Sequence, residues 1–358
     1  MAPSPHVAMI HVSVEQLTQF TVQLLESLDV PSGDAAITAQ VLVQADMTGR
    51  HTHGVNRLPL YVARLRGGGI ESRPDIRTQS AMFPALLSVD GGNGLGPVVA
   101  WRAVEEAVRL SEQYGVGMVA VKRSNHAGAL SVYCEEGARQ GHIVMALTNS
   151  TPAIPPWGGR LPFFGTNPIA YGIPRGPNTP PLVVDLATSV VARGHIIEAA
   201  RLRQPIPEGW AIDEQGSPTT DPEAALSGAV LPMAGPKGYA LALIVEILSG
   251  VLTGAGVGTG VKNPYNDFHG EANVGHFFWA FNPKGFGYLE TFYERLTAME
   301  EAIHNVPTMP NRTIRLPGDR GWDKRQRAYH EGISMDLALF RELNGLATEQ
   351  GLPLLSPC

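Results

Sequence analysis

Residues 90–109 read DGGNGLGPVVAWRAVEEAVR, with glycines at 91, 92, 94 and 96 feeding straight into a helical pattern. A Rossmann dinucleotide turn needs a strand, the spacing G-x-G-x-x-G and a helix, because the pyrophosphate must come close to backbone amides at a helix N-terminus. Gly92 and Gly94 supply the first two positions, but Pro97 stands where the third glycine belongs. An acidic residue is expected at the end of the next strand, about twenty residues on; Lys122 and Arg123 stand near there instead. The stretch reads as a glycine-rich turn into a helix, and a Rossmann nucleotide site is not expected. No Walker A sequence occurs.

Working outward, the apolar runs ALLSVDG (85–91), GVGMVAVKRS (115–124), HIVMALTNS (142–150), PLVVDLATS (181–189) and NVGHFFWAFNP (273–283) read as strands, with a helix at 129–139. Polar residues follow several of them: Ser124, Asn125 and His126; Thr148, Asn149 and Ser150; Asp185, Thr188 and Ser189. In α/β sheets ligands gather at such strand ends. Residues 151–181 are rich in Pro and Gly yet carry Trp157, Phe163, Phe164 and Tyr171, so an ordered excursion that buries these aromatics is expected. The first 70 residues read as helical. Ser13 with Gln16 forms a capping box, Ser32 is expected to cap a second helix ending at Met47, and a third helix through Leu58, Tyr61, Val62 and Leu65 stops at Gly67–Gly69.

The chain has 358 residues, is 44% hydrophobic and has a net charge of −6, which suits two or three domains and excludes the basic stripe of a nucleic-acid surface. Its two cysteines, Cys134 and Cys358, are too few for a disulfide framework, so a reducing cytoplasm is expected, and MAPSPHVAMIHVS has no signal-peptide pattern. GYALALIVEILSGVLTGAGVG (238–258) is nearly long and apolar enough for a membrane span, but Glu246 sits inside it and five glycines punctuate it; a central core helix is expected.

The chemistry concentrates at 49–57, GRHTHGVNR. A histidine moves protons near neutral pH, and a guanidinium grips a carboxylate through two parallel hydrogen bonds. His53 and Arg57, four residues apart, suit a small acid whose carbonyl or hydroxyl exchanges a proton, with the histidine titrating at pH 6 to 7, roughly as when free. A solvated helix end carrying favourable cations explains the same residues, and locally both readings stand. Zinc-ligand spacings and G-x-S-x-G are absent, so no metal is expected and a serine hydrolase is excluded.

Six stretches, taken together, resemble the malate/L-lactate dehydrogenase family of the second, non-Rossmann type, which also holds ureidoglycolate, sulfolactate and diketogulonate enzymes and cyclic imino-acid reductases. They are ADMTGRHTHGVNRLPLYVARLRGGGI, VKRSNHAGALSVY, ALTNSTPAIPPWGGRLPFFGTNPIAY, VVDLATSVVARGHI, GPKGYALALIVEILSGVLTGA and NVGHFFWAFNP, in family order between residues 45 and 283. The resemblance implies an α/β fold with a non-Rossmann cofactor domain on a largely antiparallel mixed sheet, plus a helical domain from the N- and C-terminal segments. It places a helical substrate and dimer domain at 1–70 and 290–358. An NAD(P)-binding domain follows at 71–289, with a Pro/Gly-rich subdomain near 125–182.

The same resemblance assigns roles residue by residue. Thr52 takes the place of a serine, His53 that of the proton donor, and Arg57 that of the carboxylate contact, with Thr166 touching substrate. Ser124, Asn125, His126, Ala127 and Gly128 match a cofactor segment, and His126 is a second candidate for the catalytic base. Ser150, Asp185, Leu186, Ala187, Lys237 and Gly238 match further cofactor positions, as do Pro317, Gly318, Asp319 and Arg320 of LPGDR. His195 stands on the substrate side where imino-acid reductases carry an aspartate, and His51 where an acid is common, which suggests a substrate with a second acidic group. The implied activity is hydride transfer between NAD or NADP and a small 2-hydroxy or 2-oxo acid, in a homodimer. The alternatives are a reductase of cyclic or N-substituted imino acids and a cofactor-binding homologue with little turnover. Lys122, Arg123 and Arg320 are candidates for a 2′-phosphate.

Overall fold

The computed structural model describes residues 9–358; residues 1–8, on which the signal-peptide reading partly rests, lie outside the described residues. The chain opens with β1 (Met9–Val12), α1 (Val14–Glu26), α2 (Ser32–Met47) and α3 (Leu58–Gly67). It continues through β2 (Arg77–Ser80), β3 (Leu86–Asp90), α4 (Gly96–Tyr114), β4 (Val116–Ser124), α5 (Leu130–Arg139), β5 (Ile143–Thr148), β6 (Ile169–Ile173) and β7 (Leu182–Leu186). An excursion holds α6 (Arg193–Leu202), β8 (Ala211–Ile212), β9 (Pro218–Thr219), α7 (Pro222–Ser227) and β10 (Ala229–Val230). Then come α8 (Pro236–Glu246), β11 (Val274–Phe281), α9 (Leu289–His304), α10 (Asp319–Glu331), β12 (Ile333–Asp336) and α11 (Leu337–Gln350).

Helix ends follow local chemistry, with one correction. The Ser13 hydroxyl accepts the Gln16 amide at 3.2 Å, as the capping box requires, and α3 stops at Gly68, which takes the left-handed φ of 74° that glycine alone adopts freely. Ser32, however, is the first residue inside α2. Pro31 precedes it in the extended form that suits a helix entry, and no side chain caps that end.

The main sheet has seven strands in the order β2-β3-β4-β11-β5-β6-β7. Only β3 and β4 pair in parallel, joined by α4; the other neighbours are antiparallel. Val99, Val104, Tyr133, Val119, Val144 and Phe278 form the core between the sheet and the helices α4 and α5. β6 comes from the Pro/Gly-rich stretch, where proline and glycine hide the strand pattern. Its backbone extends the sheet, but only Phe164 of the four aromatics is buried; Trp157, Phe163 and Tyr171 stay 58%, 40% and 38% exposed. The small sheet β10-β8-β9 lies farther along the chain, at 211–230.

The expected central core helix is one-sided. Ala242, Val245 and Glu246 of α8 are buried, while Leu243, Ile244, Ile247 and Val251 face outward along α8 and the π-helical turn that continues it. Its inward face packs on Met145, Leu147 and Phe277 of the sheet. Among the described residues no helix is long and apolar enough to cross a membrane.

The two ends of the chain meet. β1 pairs antiparallel with β12, from Met9 opposite Asp336 to Val12 opposite Ile333. Leu17, Leu24, Leu42, Leu58 and Leu343 share one apolar core across α1, α2, α3 and α11. α10 docks on α5 through the buried pair of Arg325 with Glu135 (Nη2 to Oε2, 2.9 Å).

The glycine turn at 91–96 is filled by protein. The Gly91 amide donates to Lys122 O at 2.9 Å and the Asn93 amide to Arg123 O at 2.8 Å, so the chain leaving β4 occupies the place a pyrophosphate takes in a Rossmann turn. A Cβ at Gly96 would drive into the carbonyl oxygens of His126 and Asn125. Gly96→Ala should therefore cost about 1–3 kcal/mol, the range for overpacking, and toward its upper end because backbone cannot give. Urea unfolding reads the effect, and an unchanged midpoint would show that this close approach is dispensable.

Candidate active site

The strand directions gather the polar ends. β3, β4, β5 and β7 run one way, and β2, β6 and β11 the other. The C-terminal ends of β4, β5 and β7 therefore share one edge, which Ser124, Thr148 and Leu186 mark. Across it lies His276 of β11, fully buried, with Nε2 2.8 Å from Ser124 Oγ and Nδ1 2.8 Å from Thr148 Oγ1. Burial holds His276 down to about 3, so the ring is neutral and clamps two of these ends together.

Asn125 ties the same edge to the glycine turn. Its amide nitrogen donates to Asn93 Oδ1 at 3.0 Å and Gly94 O at 2.9 Å, and its oxygen accepts from Arg64 at 3.2 Å. The side chains of Ser124 and Asn125 are thus committed to internal bonds, and these residues set the shape of the edge.

Opposite stands the stretch 49–57, folded as two short 3₁₀ turns, His51–His53 and Val55–Arg57. The buried carboxylate of Asp46 organises them, accepting the Val55 amide at 2.7 Å and bonding His51 Nδ1 at 3.0 Å. Gly54 packs so tightly on this carboxylate that no Cβ fits there. Burial raises the Asp46 pKa, against the pull of these bonds. His51, suggested by sequence to favour a second acidic group on the substrate, has its Nδ1 turned to Asp46 within the protein.

The turns aim the candidate groups. Thr52 Oγ1 lies 2.9 Å from His53 Nδ1, and Arg57 Nε donates to Thr52 O at 2.6 Å. The His53 ring stacks on His126, with centroids 5.6 Å apart and planes 23° from parallel. His126 Nδ1 accepts the Gly128 amide at 3.2 Å and lies 2.9 Å from the Tyr61 hydroxyl, so the neutral ring carries its proton on Nε2. Arg50 Nε lies 3.5 Å from Asp185 Oδ2, which also accepts the Ser131 amide at the start of α5 at 3.0 Å.

Burial, reinforced by the charge of Arg57, lowers His53 to about 4, although Asp185 draws it back up. His126 is also held well below its ordinary value, by burial and then by Arg57, His53 and His276. The expectation of a freely titrating histidine is corrected: both rings are neutral at pH 7.

The remaining candidates divide. Ser150 Oγ accepts the Thr166 amide at 3.1 Å, and Thr166 O accepts from Thr188, so these sit at the same edge. Leu186 is exposed there. Ala187 follows it in the chain, Ala127 is buried, and Gly238 packs against the Thr188 carbonyl. Lys237 is exposed in the first turn of α8. His195 is exposed on α6, whose Gly194 lies against the Thr52 methyl. LPGDR lies elsewhere: Pro317 O accepts the Val183 amide at 3.2 Å, at the start of β7 rather than its end, with Gly318 beside it. Asp319 accepts the Leu316 amide at 2.8 Å, and Arg320 is exposed. Arg123 already pairs with Asp90 at 3.1 Å and Glu271 at 2.9 Å.

Sequence reasoning missed Tyr61, Arg64, His276 and Tyr265. The signal for the first two was the spacing of 61 and 64, three residues apart on one face of α3 and following directly on Arg57. For His276 it was a lone histidine in an otherwise apolar strand. Tyr265 stands in a loop with no pattern to single it out.

A profile of the malate/L-lactate dehydrogenase family matches residues 12–344. The (2R)-3-sulfolactate dehydrogenase (NADP(+)) of Chromohalobacter salexigens is 38% identical over 95% of this chain and 98% of its own. The ureidoglycolate dehydrogenase (NAD(+)) of Escherichia coli is 35% identical over 90% and 92%. The solved structure of malate dehydrogenase from Pyrococcus horikoshii superposes with a TM-score of 0.89 at 35% identity, over 99% of this chain and all of that one. The chain belongs to the malate/L-lactate dehydrogenase family. It is an oxidoreductase that works with NAD or NADP.

The depressed pKa of His276 has a consequence for stability. The folded protein resists protonating this ring while the unfolded chain accepts the proton near pH 6.5, so stability is complete above that pH and is lost as pH falls toward 3. Between pH 7 and pH 5 this one ring should cost about 2 kcal/mol. His276→Gln should flatten that slope in urea titrations at the two pH values; an equal slope would assign the acid sensitivity to other groups.

Proposed function

We propose that the chain is a dehydrogenase of a small 2-hydroxy acid, in which His53 exchanges the proton and Arg57 holds the carboxylate. The observation that carries the reading is a pair of stacked neutral imidazoles, tied to a guanidinium by one short turn, at an edge of polar strand ends. The residues suit a nicotinamide dinucleotide. Lys237 offers an ammonium where the amides at the start of α8 add positive potential, and exposed Leu186 offers apolar surface to a ring. When bound, that cofactor supplies or accepts the hydride.

The protein does the rest. Arg57 orients the acid, and a near-attack pose contributes several kcal/mol, roughly. In oxidation neutral His53 takes the hydroxyl proton, and Thr52 fixes its ring through Nδ1. A carboxylate on Arg57 offsets the charge that depresses His53, so substrate itself lifts the ring's pKa toward the range where it can hold and return a proton. His126 braces the His53 ring from the cofactor side, with Tyr61 and Gly128 fixing its tautomer.

We assign residues 71–289 to a non-Rossmann cofactor domain, which the filled glycine turn supports, and 9–70 with 290–358 to a helical substrate domain, which the β1–β12 pair and its shared core support. A homodimer accounts for the outward apolar face of α8, and sedimentation of the wild type beside Ile244→Glu tests it. The two free thiols suit a cytoplasmic protein, as fractionation would show, and the acidic net charge suits a small-molecule partner rather than nucleic acid.

The test is nicotinamide absorbance with malate, sulfolactate and lactate, and with their 2-oxo forms with and without methylamine. Turnover of the hydroxy acids supports the reading. Amine-dependent reduction alone would move it to imino acids, and cofactor binding without turnover to an inactive homologue. His53→Ala should lower kcat by about 100- to 10,000-fold with cofactor affinity intact, whereas His126→Ala should weaken cofactor first; the reverse pattern would exchange the roles. For oxidation, kcat/KM should stay level from pH 7 to 5 and fall only near the value of about 4 set for His53, with the kcat limb at higher pH.

A further inference from the structure

We propose that Tyr265 is a substrate-positioning and specificity-determining residue, whose hydroxyl completes with Arg57 a two-donor cradle for the substrate's carboxylate. The inference rests on the carboxylate role of Arg57 proposed above. Arg57 spends Nε on Thr52 O and donates through Nη1 to the Tyr265 hydroxyl, while Nη2 has no protein partner among the described residues. The guanidinium lies over the phenol ring, 5.6 Å from its centroid. A phenol that accepts one hydrogen bond still has its own hydrogen to donate. The free edge of Arg57 and the Tyr265 O–H therefore present two donors side by side, and the two oxygens of a carboxylate match them.

The loop that carries Tyr265 is built to deliver it. Asp267 accepts the His269 and Gly270 amides at 2.9 and 2.8 Å, making a tight turn. Arg64 donates to Asp267 O at 2.6 Å and Gly270 O at 2.9 Å, and His269 Nδ1 lies 2.8 Å from Gly67 O. Phe268 crosses Gly67 and Gly69 so closely that a Cβ at either would strike its carbonyl oxygen. The glycines ending α3 thus admit a strap as well as stopping a helix. Arg57, at the turn that leads into α3, meets the strap's tyrosine, and Arg64, in the last turns of that helix, binds the strap's base. Tyr265 itself remains 46% exposed, open to an incoming ligand.

The experiment compares the wild type with Tyr265→Phe, which removes only the hydroxyl. Oxalate serves as the probe, and its Kd is measured by calorimetry with NADH or NADPH bound. Oxalate should bind about tenfold or more weaker to the variant, as befits a lost hydrogen bond to a charged group, with cofactor Kd and Tm unchanged. The KM of the best hydroxy acid should rise similarly, with kcat within about twofold, because the contact serves ground state and transition state alike. Equal oxalate affinity in both proteins, no oxalate binding to the wild type, or an equal loss of cofactor affinity would each overturn the cradle. A wild type that binds oxalate but turns over no acid would instead overturn the proposed activity and leave the cradle standing.

Discussion

The site hangs on one buried carboxylate. Asp46 ends α2 inside the protein, and the next nine residues fold around it: Val55 gives it an amide, His51 a ring nitrogen, and Gly54 the room to come close. A buried acceptor bonded at both oxygens holds 3₁₀ turns that have little stability of their own. From that fixed point the Thr52 hydroxyl meets His53 and the Thr52 carbonyl meets Arg57, so both side chains are set by one piece of backbone.

The opposite wall is held by neutral groups. His276 and Asn125 use both ends of their polar side chains to join strand ends and turns, and neither carries charge. Around His53 and His126, low polarity and the nearby guanidinium suppress the imidazolium forms. The guanidinium of Arg57 thus stands beside two neutral rings.

Much of this was legible in the sequence, for identifiable reasons. The strands at 86–90, 116–124, 143–148, 182–186 and 274–281 were readable because they are apolar runs with turn residues behind them. β6 was not, because its neighbours are prolines and glycines. The one-sided exposure of α8 was hidden because Leu243, Ile244 and Ile247 look like core on composition alone. The Rossmann test failed in the sequence at Pro97, and in space the turn is filled by residues 122–126. Of the candidate site, 49–57 was readable as local chemistry. The contact of His53 with His126 and that of Arg57 with Tyr265 span 73 and 208 positions, and no local pattern encodes them.

The pairing of β1 with β12 also orders events in time. A chain is made from its N-terminus, and domains tend to form as their residues emerge. All seven strands of the main sheet precede Phe281, whereas β12 and α11, which complete the helical core, come after residue 332. During synthesis α1, α2 and α3 can pack on one another early, but the part of their core that Ile333, Met335 and Leu343 fill must wait through the emergence of the whole sheet. The wall bearing His126 and His276 can therefore be complete before the helical core beneath His53 is.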